Sequence, residues 1–196
     1  MSIAPVISDV IHIIEEGRKK AYQAINTSMV EAYWLAGKRI VEDELDGHER
    51  AEYGKSIIKK LSEALTDKFG KGFSVATLYS FKQFYATFSD ENIFYTLCRK
   101  LSWSHNRYIM RVVDKKAQLY YLRETYEQNW GVRQLERNIN TLYYQRLVSS
   151  NNPGPIEEEM LEKTEDVQFD SRDFIRNPTV LEFCRNMVRQ AHHDST

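Results

Sequence analysis

The stretch Leu101–Arg146, LSWSHNRYIMRVVDKKAQLYYLRETYEQNWGVRQLERNINTLYYQR, decides the fold class. Apolar residues recur in it at three- and four-residue spacing: Tyr108 and Val112, then Leu119, Leu122 and Tyr126, then Leu135, Ile139 and Leu142. That spacing belongs to helices that bury one stripe. Trp103 and Trp130 each stand just before such a pattern. Ser102 or Ser104 can cap the first helix, and Asp114 the next, which runs to Gln128. Gly131 takes the N-cap place of a last long helix, with Trp130 before it and Leu135 positioned for a hydrophobic staple. From Arg99 to Arg146 ten basic side chains stand against four acidic ones, a net of +6, whereas the whole chain is at −1. Positive charge is concentrated here.

The same periodicity extends toward the N-terminus. Ser8 can cap a first helix, with Asp9 in its first turn. Val10, Ile14, Ala21, Ile25, Ala32 and Leu35 then hold one face as far as Ile40. An unbroken helix from Asp9 to Leu45 would be about 55 Å long at ~1.5 Å per residue. That length predicts a break near Asn26-Thr27-Ser28. Gly37, beside Tyr33 and Trp34, points to a close helix crossing, because glycine lets another backbone approach. Glu42 to Glu52 is acidic and turns at Gly47.

A second helix, from about Ala51 to Phe69, repeats Tyr53, Ile57, Leu61, Leu65 and Phe69, and Gly70 stops it. Ser74 caps a third, with Val75, Leu78, Phe81, Tyr85 and Phe88 on its inner side. Two helices joined by a short glycine turn have the form of a helix-turn-helix, a pattern of low specificity. Asp90 opens a short helix through Cys98. The fold class is therefore all-α: a multi-helix domain over residues 8–149 with a helix-turn-helix-like pair and a long N-terminal helix.

With 196 residues and a 42% hydrophobic fraction, the chain can bury a core and carry an appendage. No apolar run reaches a membrane span, and MSIAPVISDV lacks the charged-then-apolar pattern of a secretion signal. Cys98 and Cys184 lie far apart in helical patterns, so a disulfide framework is not expected and a cytoplasmic setting is. After Ser149 the character changes. SSNNPGP is a break, and residues 150–171 read as an acidic linker.

Several separate motifs also resemble one family. AYWLAGKRIVEDE, EYGK, LSEALTDKFGKGFSVATLYSFKQFY, LSWSH, NWGVRQLERNIN and YYQR look like the N-terminal domain of the YhcG family, the DUF1016 group, over roughly Ile14 to Leu147. The family more often has serine where Gly131 stands, and glycine is a tolerated cap. Its members typically carry this helical domain in front of a PD-(D/E)XK nuclease domain. RDFIRNPTVLEFCRNMV resembles the opening of that nuclease domain, so residues 172–196 read as its truncated start followed by an unrelated tail.

PD-(D/E)XK chemistry needs an aspartate and an acidic-X-lysine triplet across a hairpin, so that carboxylates hold Mg²⁺ beside the scissile phosphate. Glu157 to Lys163 has the residue types without the apolar strands to position them. No catalytic residue, metal ligand or cofactor is expected in this chain, and Mg²⁺ belongs to the absent domain. Ser104-His105 lacks the third group and oxyanion turn of a nucleophilic site. His192-His193 with Asp194 reads as tail. Trp34, Trp103 and Trp130 could stack bases, but their places beside caps and on apolar faces favour core packing. Of the pairs Tyr120-Tyr121 and Tyr143-Tyr144, each places one ring outward.

Arg107 and Arg111, like Arg133 and Arg137, lie four apart and share a helix face without a compensating carboxylate there. Unpaired guanidinium groups suit phosphates; a solvated face, or ion pairs to the acidic Glu42–Glu52 stretch, is the alternative. The resemblance implies the targeting part of a nuclease. The expectation is a non-catalytic DNA-binding domain. In it Lys71, Ser74, Thr77, Lys82 and Gln83 lie on or beside the recognition helix and the arginine pairs hold phosphates. The alternative is a helical interaction or homodimerisation module without nucleic-acid binding. No membrane or small-molecule substrate is expected.

Overall fold

The computed structural model describes residues 3–45 and 51–164, the side chains of residues 45 and 51–55 excepted. Among them the structure is helical throughout: α1 (Ala4–Leu45), α2 (Ala51–Phe69), α3 (Val75–Thr87), α4 (Glu91–Thr96), α5 (Trp103–Ile109), α6 (Lys115–Glu127), α7 (Val132–Asn140), α8 (Tyr143–Ser149) and α9 (Gly154–Thr164). The loop at Gly47, the Tyr53 side chain, the nuclease-like segment and the histidine tail lie outside the described residues.

α1 is a single helix of 42 residues, and the break predicted at Asn26-Thr27-Ser28 does not occur. The polar residues there are satisfied without leaving the helix. The Asn26 amide donates to the Leu101 carbonyl at 3.1 Å, and the Ser28 hydroxyl donates to Ala24 O at 3.0 Å. The helix also starts earlier than Ser8, at Ala4, where Pro5 is tolerated because first-turn N–H groups have no partner in any case.

The close crossing predicted at Gly37 is present. A Cβ on residue 37 would lie 2.1 Å from the Phe81 carbonyl oxygen and 3.1 Å from Tyr85 Cβ. α3 therefore rests directly on the α1 backbone. Around this point Tyr33 stacks on Phe81 with centroids 4.3 Å apart, and Trp34 stacks on Phe94 at 4.4 Å. The buried Trp34 indole donates to the Phe88 carbonyl at 2.8 Å, tying the end of α3 to α1. Trp103, at the start of α5, meets Tyr33, Phe81 and Phe84 edge-on and joins the first half of the chain to the second.

Caps set the short helices. Ser74, Asp90, Ser102 and Asp114 each accept a backbone N–H of the first turn. His105 completes a capping box with Ser102, and its Nε2 lies 3.0 Å from the Trp130 carbonyl. Because Nδ1 faces the Ser102 N–H, Nε2–H is the donor to Trp130. Asn129, at φ 52°, ends α6 with the Trp130 N–H on Thr125 O at 3.2 Å, which turns the indole inward.

The last long helix predicted after Gly131 is instead two. Leu142 adopts a left-handed φ of 52° and separates α7 from α8. Residues 154–164, part of the stretch read as linker, form α9, whose Ile156 and Met160 pack on the core.

Replacing Gly37 by alanine should force α1 and α3 apart and lower stability by on the order of 3 kcal/mol. Urea unfolding followed by circular dichroism checks this. A midpoint equal to that of the parent chain would contradict the crossing.

Candidate nucleic-acid interface

The basic segment divides once its neighbours are known. Arg99 pairs with Glu31 at 3.2 Å. The Lys100 ammonium lies 4.6 Å from the Tyr126 ring centroid and donates to its hydroxyl at 3.2 Å. Lys115 bonds Gln118 at 3.2 Å, and Arg146 pairs with Glu159 at 2.5 Å. Arg137 donates to the Lys163 carbonyl at 3.1 Å, so it stabilises the carbonyl end of α9. These side chains serve the fold.

Arg107, Arg111 and Arg133 are exposed and pair with no carboxylate among the described residues. They sit on neighbouring elements. The Tyr108 hydroxyl faces Glu136 where α5 packs on α7. Burial first, and then this carboxylate, push the phenol above its ordinary value, while Arg111 and Arg107 oppose the shift. Two guanidinium groups from the end of α5 thus lie around Tyr108, and Arg133 projects from the helix that carries Glu136. Lys116 and Arg123 are also exposed on α6.

The helix-turn-helix-like residues are placed differently. Ser74 accepts the Thr77 N–H at 3.3 Å, and the two hydroxyls lie 3.0 Å apart, so both are engaged in the cap. Lys82 forms an ion pair with Glu44 of α1. Lys71 and Gln83 remain exposed. No hydrogen bond or ion pair links this group to the arginines of α5 and α7.

All three tryptophans are buried, as their places beside caps predict: Trp34, Trp103 and Trp130 expose 1%, 5% and 3% of their surface. None is available for stacking. Ser102, rather than Ser104, is the cap beside His105.

The described residues contain no group of three or more His, Cys, Asp or Glu side chains placed to hold a metal ion. Within the Glu157–Lys163 stretch, Glu159 is occupied by Arg146 and by Lys163 at 2.9 Å. Those bonds hold its carboxyl down at about 2. The residues described here therefore do not fit a Mg²⁺ site.

Residues 9–146 match the DUF1016 N-terminal domain. The chain belongs to that family. Putative nuclease YhcG of Escherichia coli (strain K12) is 29% identical over 204 residues, covering 89% of this chain and 54% of that protein. The chain thus spans about half the length of this relative. No solved structure matches it. The family match runs from α1 into α8, so the Tyr108–Glu136 junction lies within the family domain and α9 lies beyond its matched end.

The depressed carboxyl of Glu159 gives α9 a pH dependence. Its pairing contributes to docking fully above the ordinary glutamate value of ~4.3, and the contribution is lost as pH falls toward about 2. A carbon-detected NMR titration should find the Glu159 midpoint near 2 in the parent chain and higher in Arg146→Ala, though still below the ordinary value because Lys163 remains. An unshifted midpoint in the parent would contradict the pairing.

Proposed function

We propose that this domain is a non-catalytic nucleic-acid-binding part of a nuclease, with DNA as its ligand. The observation that carries the reading is the set of exposed guanidinium groups, Arg107, Arg111 and Arg133, brought to adjoining helices without carboxylate partners. Planar guanidinium groups fit phosphate oxygens, and three on one region fit a run of backbone phosphates better than a single anion. The name of the Escherichia coli relative supports a nuclease setting.

Within this reading Arg107, Arg111 and Arg133 neutralise phosphates and carry little sequence information. Lys116 and Arg123 extend the positive surface. Lys71, in the turn before α3, and Gln83, on the exposed side of that helix, form a second contact. Lys82, Ser74, Thr77 and Arg137 support the surface through their bonds within the chain. Recognition of this kind is led by backbone and shape, since the exposed side of α3 offers Val75, Ala76 and Tyr79 with few base-reading groups.

The test is binding of the purified chain to labelled duplex, junction and single-stranded DNA at two salt concentrations. Micromolar or tighter binding that weakens steeply with salt is expected, because each neutralised duplex phosphate contributes about 0.9 to the logarithmic salt slope. The variant R107A/R111A/R133A should lose affinity for all sequences alike and flatten that slope by roughly 2 to 3. Absence of binding at low salt in the parent chain would sink the proposal; an unchanged slope in the variant would remove these arginines from the site.

A further inference from the structure

Among the described residues, the apolar side chains of the N-terminal half of α1 are not packed on the core. Ile3, Val6 and Ile7 expose 72%, 59% and 51% of their surface, and Ile13 and Ile14 expose 68% and 56%. At 3.6 residues per turn, Ile3, Val10, Ile14 and Gly17 fall on one face, and Ala21, Ala24 and Ser28 continue it. That face is turned away from the side on which Met29, Tyr33 and Ile40 enter the core. Large side chains occupy its first half and small ones its second.

Gly17 stands at the centre. A Cβ there would meet nothing within 4 Å, so no packing among the described residues accounts for a glycine in the middle of a helix. Charge divides at the same point: Asp9, Glu15 and Glu16 precede it, and Arg18, Lys19 and Lys20 follow. Lys19 reaches Glu16 of its own helix at 3.8 Å, and Arg18 lies by Tyr22 and Glu15, while Lys20 has no ion pair among the described residues.

We propose that α1 pairs antiparallel with α1 of a second copy of this chain, the two helices crossing at Gly17. A two-fold axis there sets the large residues of each helix on the small residues of the other: Val10 over Ala24, Ile13 over Ala21 and Val6 over Ser28. It brings Lys20 beside Glu16 of the second copy. A parallel pair would set large on large and like charge on like charge. Glycine at the crossing lets the backbones approach, as Gly37 does inside the domain.

The test uses the full chain in analytical ultracentrifugation from 1 to 100 µM, stated as orders of magnitude about typical self-association. A dimer is expected, and V10E/I14E should raise its dissociation constant at least ~100-fold with an unchanged circular dichroism spectrum. These side chains are exposed in the monomer, so the substitutions spare its core. Orientation is read by oxidation in a Cys184→Ser background. Gly17→Cys should cross-link to itself. Val6→Cys should not, because its mates would lie about 33 Å apart at ~1.5 Å per residue. A monomer at every concentration, including one that binds lipid vesicles, overturns the proposal. So does cross-linking of Val6→Cys, or a V10E/I14E dimer as tight as the parent.

Discussion

The contact between Gly37 and the backbone of Phe81 is the constraint on which the rest of the fold depends. With 2.1 Å between the Phe81 oxygen and the place a Cβ would take, α1 and α3 are closer than side chains normally permit. That closeness lets Tyr33, on the turn of α1 before the glycine, lie on α3 itself and Trp34 reach α4. Each finds an aromatic partner, Phe81 for one and Phe94 for the other. Trp103 then closes the cluster from α5. A wider crossing would leave voids beside these rings, and core voids are costly because the lining atoms lose contacts outright.

The second half of the domain hangs from this cluster through polar as well as apolar links. Asn26 of α1 holds the Leu101 carbonyl, and Asn106 donates to Cys98 O at 2.9 Å and Ser102 O at 3.1 Å. His105 spans from the cap of α5 to the Trp130 carbonyl. The Tyr121 hydroxyl donates to Asn138 O at 3.0 Å and accepts the Tyr144 N–H at 3.1 Å, so α6 fixes the break between α7 and α8. Burial alone pushes the Cys98 thiol up to about 12, so it stays protonated and packs as a small apolar side chain. The arginines of α5 and α7 owe their placement to these links rather than to one another.

The sequence makes legible whatever local chemistry determines. Ser74, Asp90, Ser102 and Asp114 are caps because a side-chain oxygen at that position meets free N–H groups, and each is one in the structure. Gly37 and the tryptophans are likewise readable, since glycine among large aromatics has few other uses. What fails is non-local. Nothing in Thr141-Leu142 resembles a helix stop; Leu142 is left-handed because Tyr121 claims the carbonyl of Asn138 and the N–H of Tyr144 from another helix. The polar run at Asn26 looks like a break only until Leu101 supplies the partner. Ile156 and Met160, four apart in α9, are a faint signal overwhelmed by surrounding carboxylates, and of the two cations that neutralise Glu159 only Lys163, four residues on, is in view before docking brings Arg146.

The candidate site shows the same division more sharply. A charge count over Arg99–Arg146 treats ten cations alike, yet their free energies in the fold differ. A guanidinium that already holds a carboxylate, as Arg146 does, must surrender that bond before it can hold a phosphate, so it adds little net affinity. An exposed one such as Arg107 gives up only water and counterions. Spacing four apart identifies Arg133 and Arg137 as neighbours but cannot show that α9 lies beside one of them and takes its donor. The useful quantity is therefore the number of cations without partners, not the net charge. In a helical domain that number is set by which acidic segments fold back onto the basic ones. Here Glu31 and Glu159 do so from α1 and α9, and they leave Arg107, Arg111 and Arg133 around Tyr108 and Glu136, with Lys116 and Arg123 on α6, facing solvent.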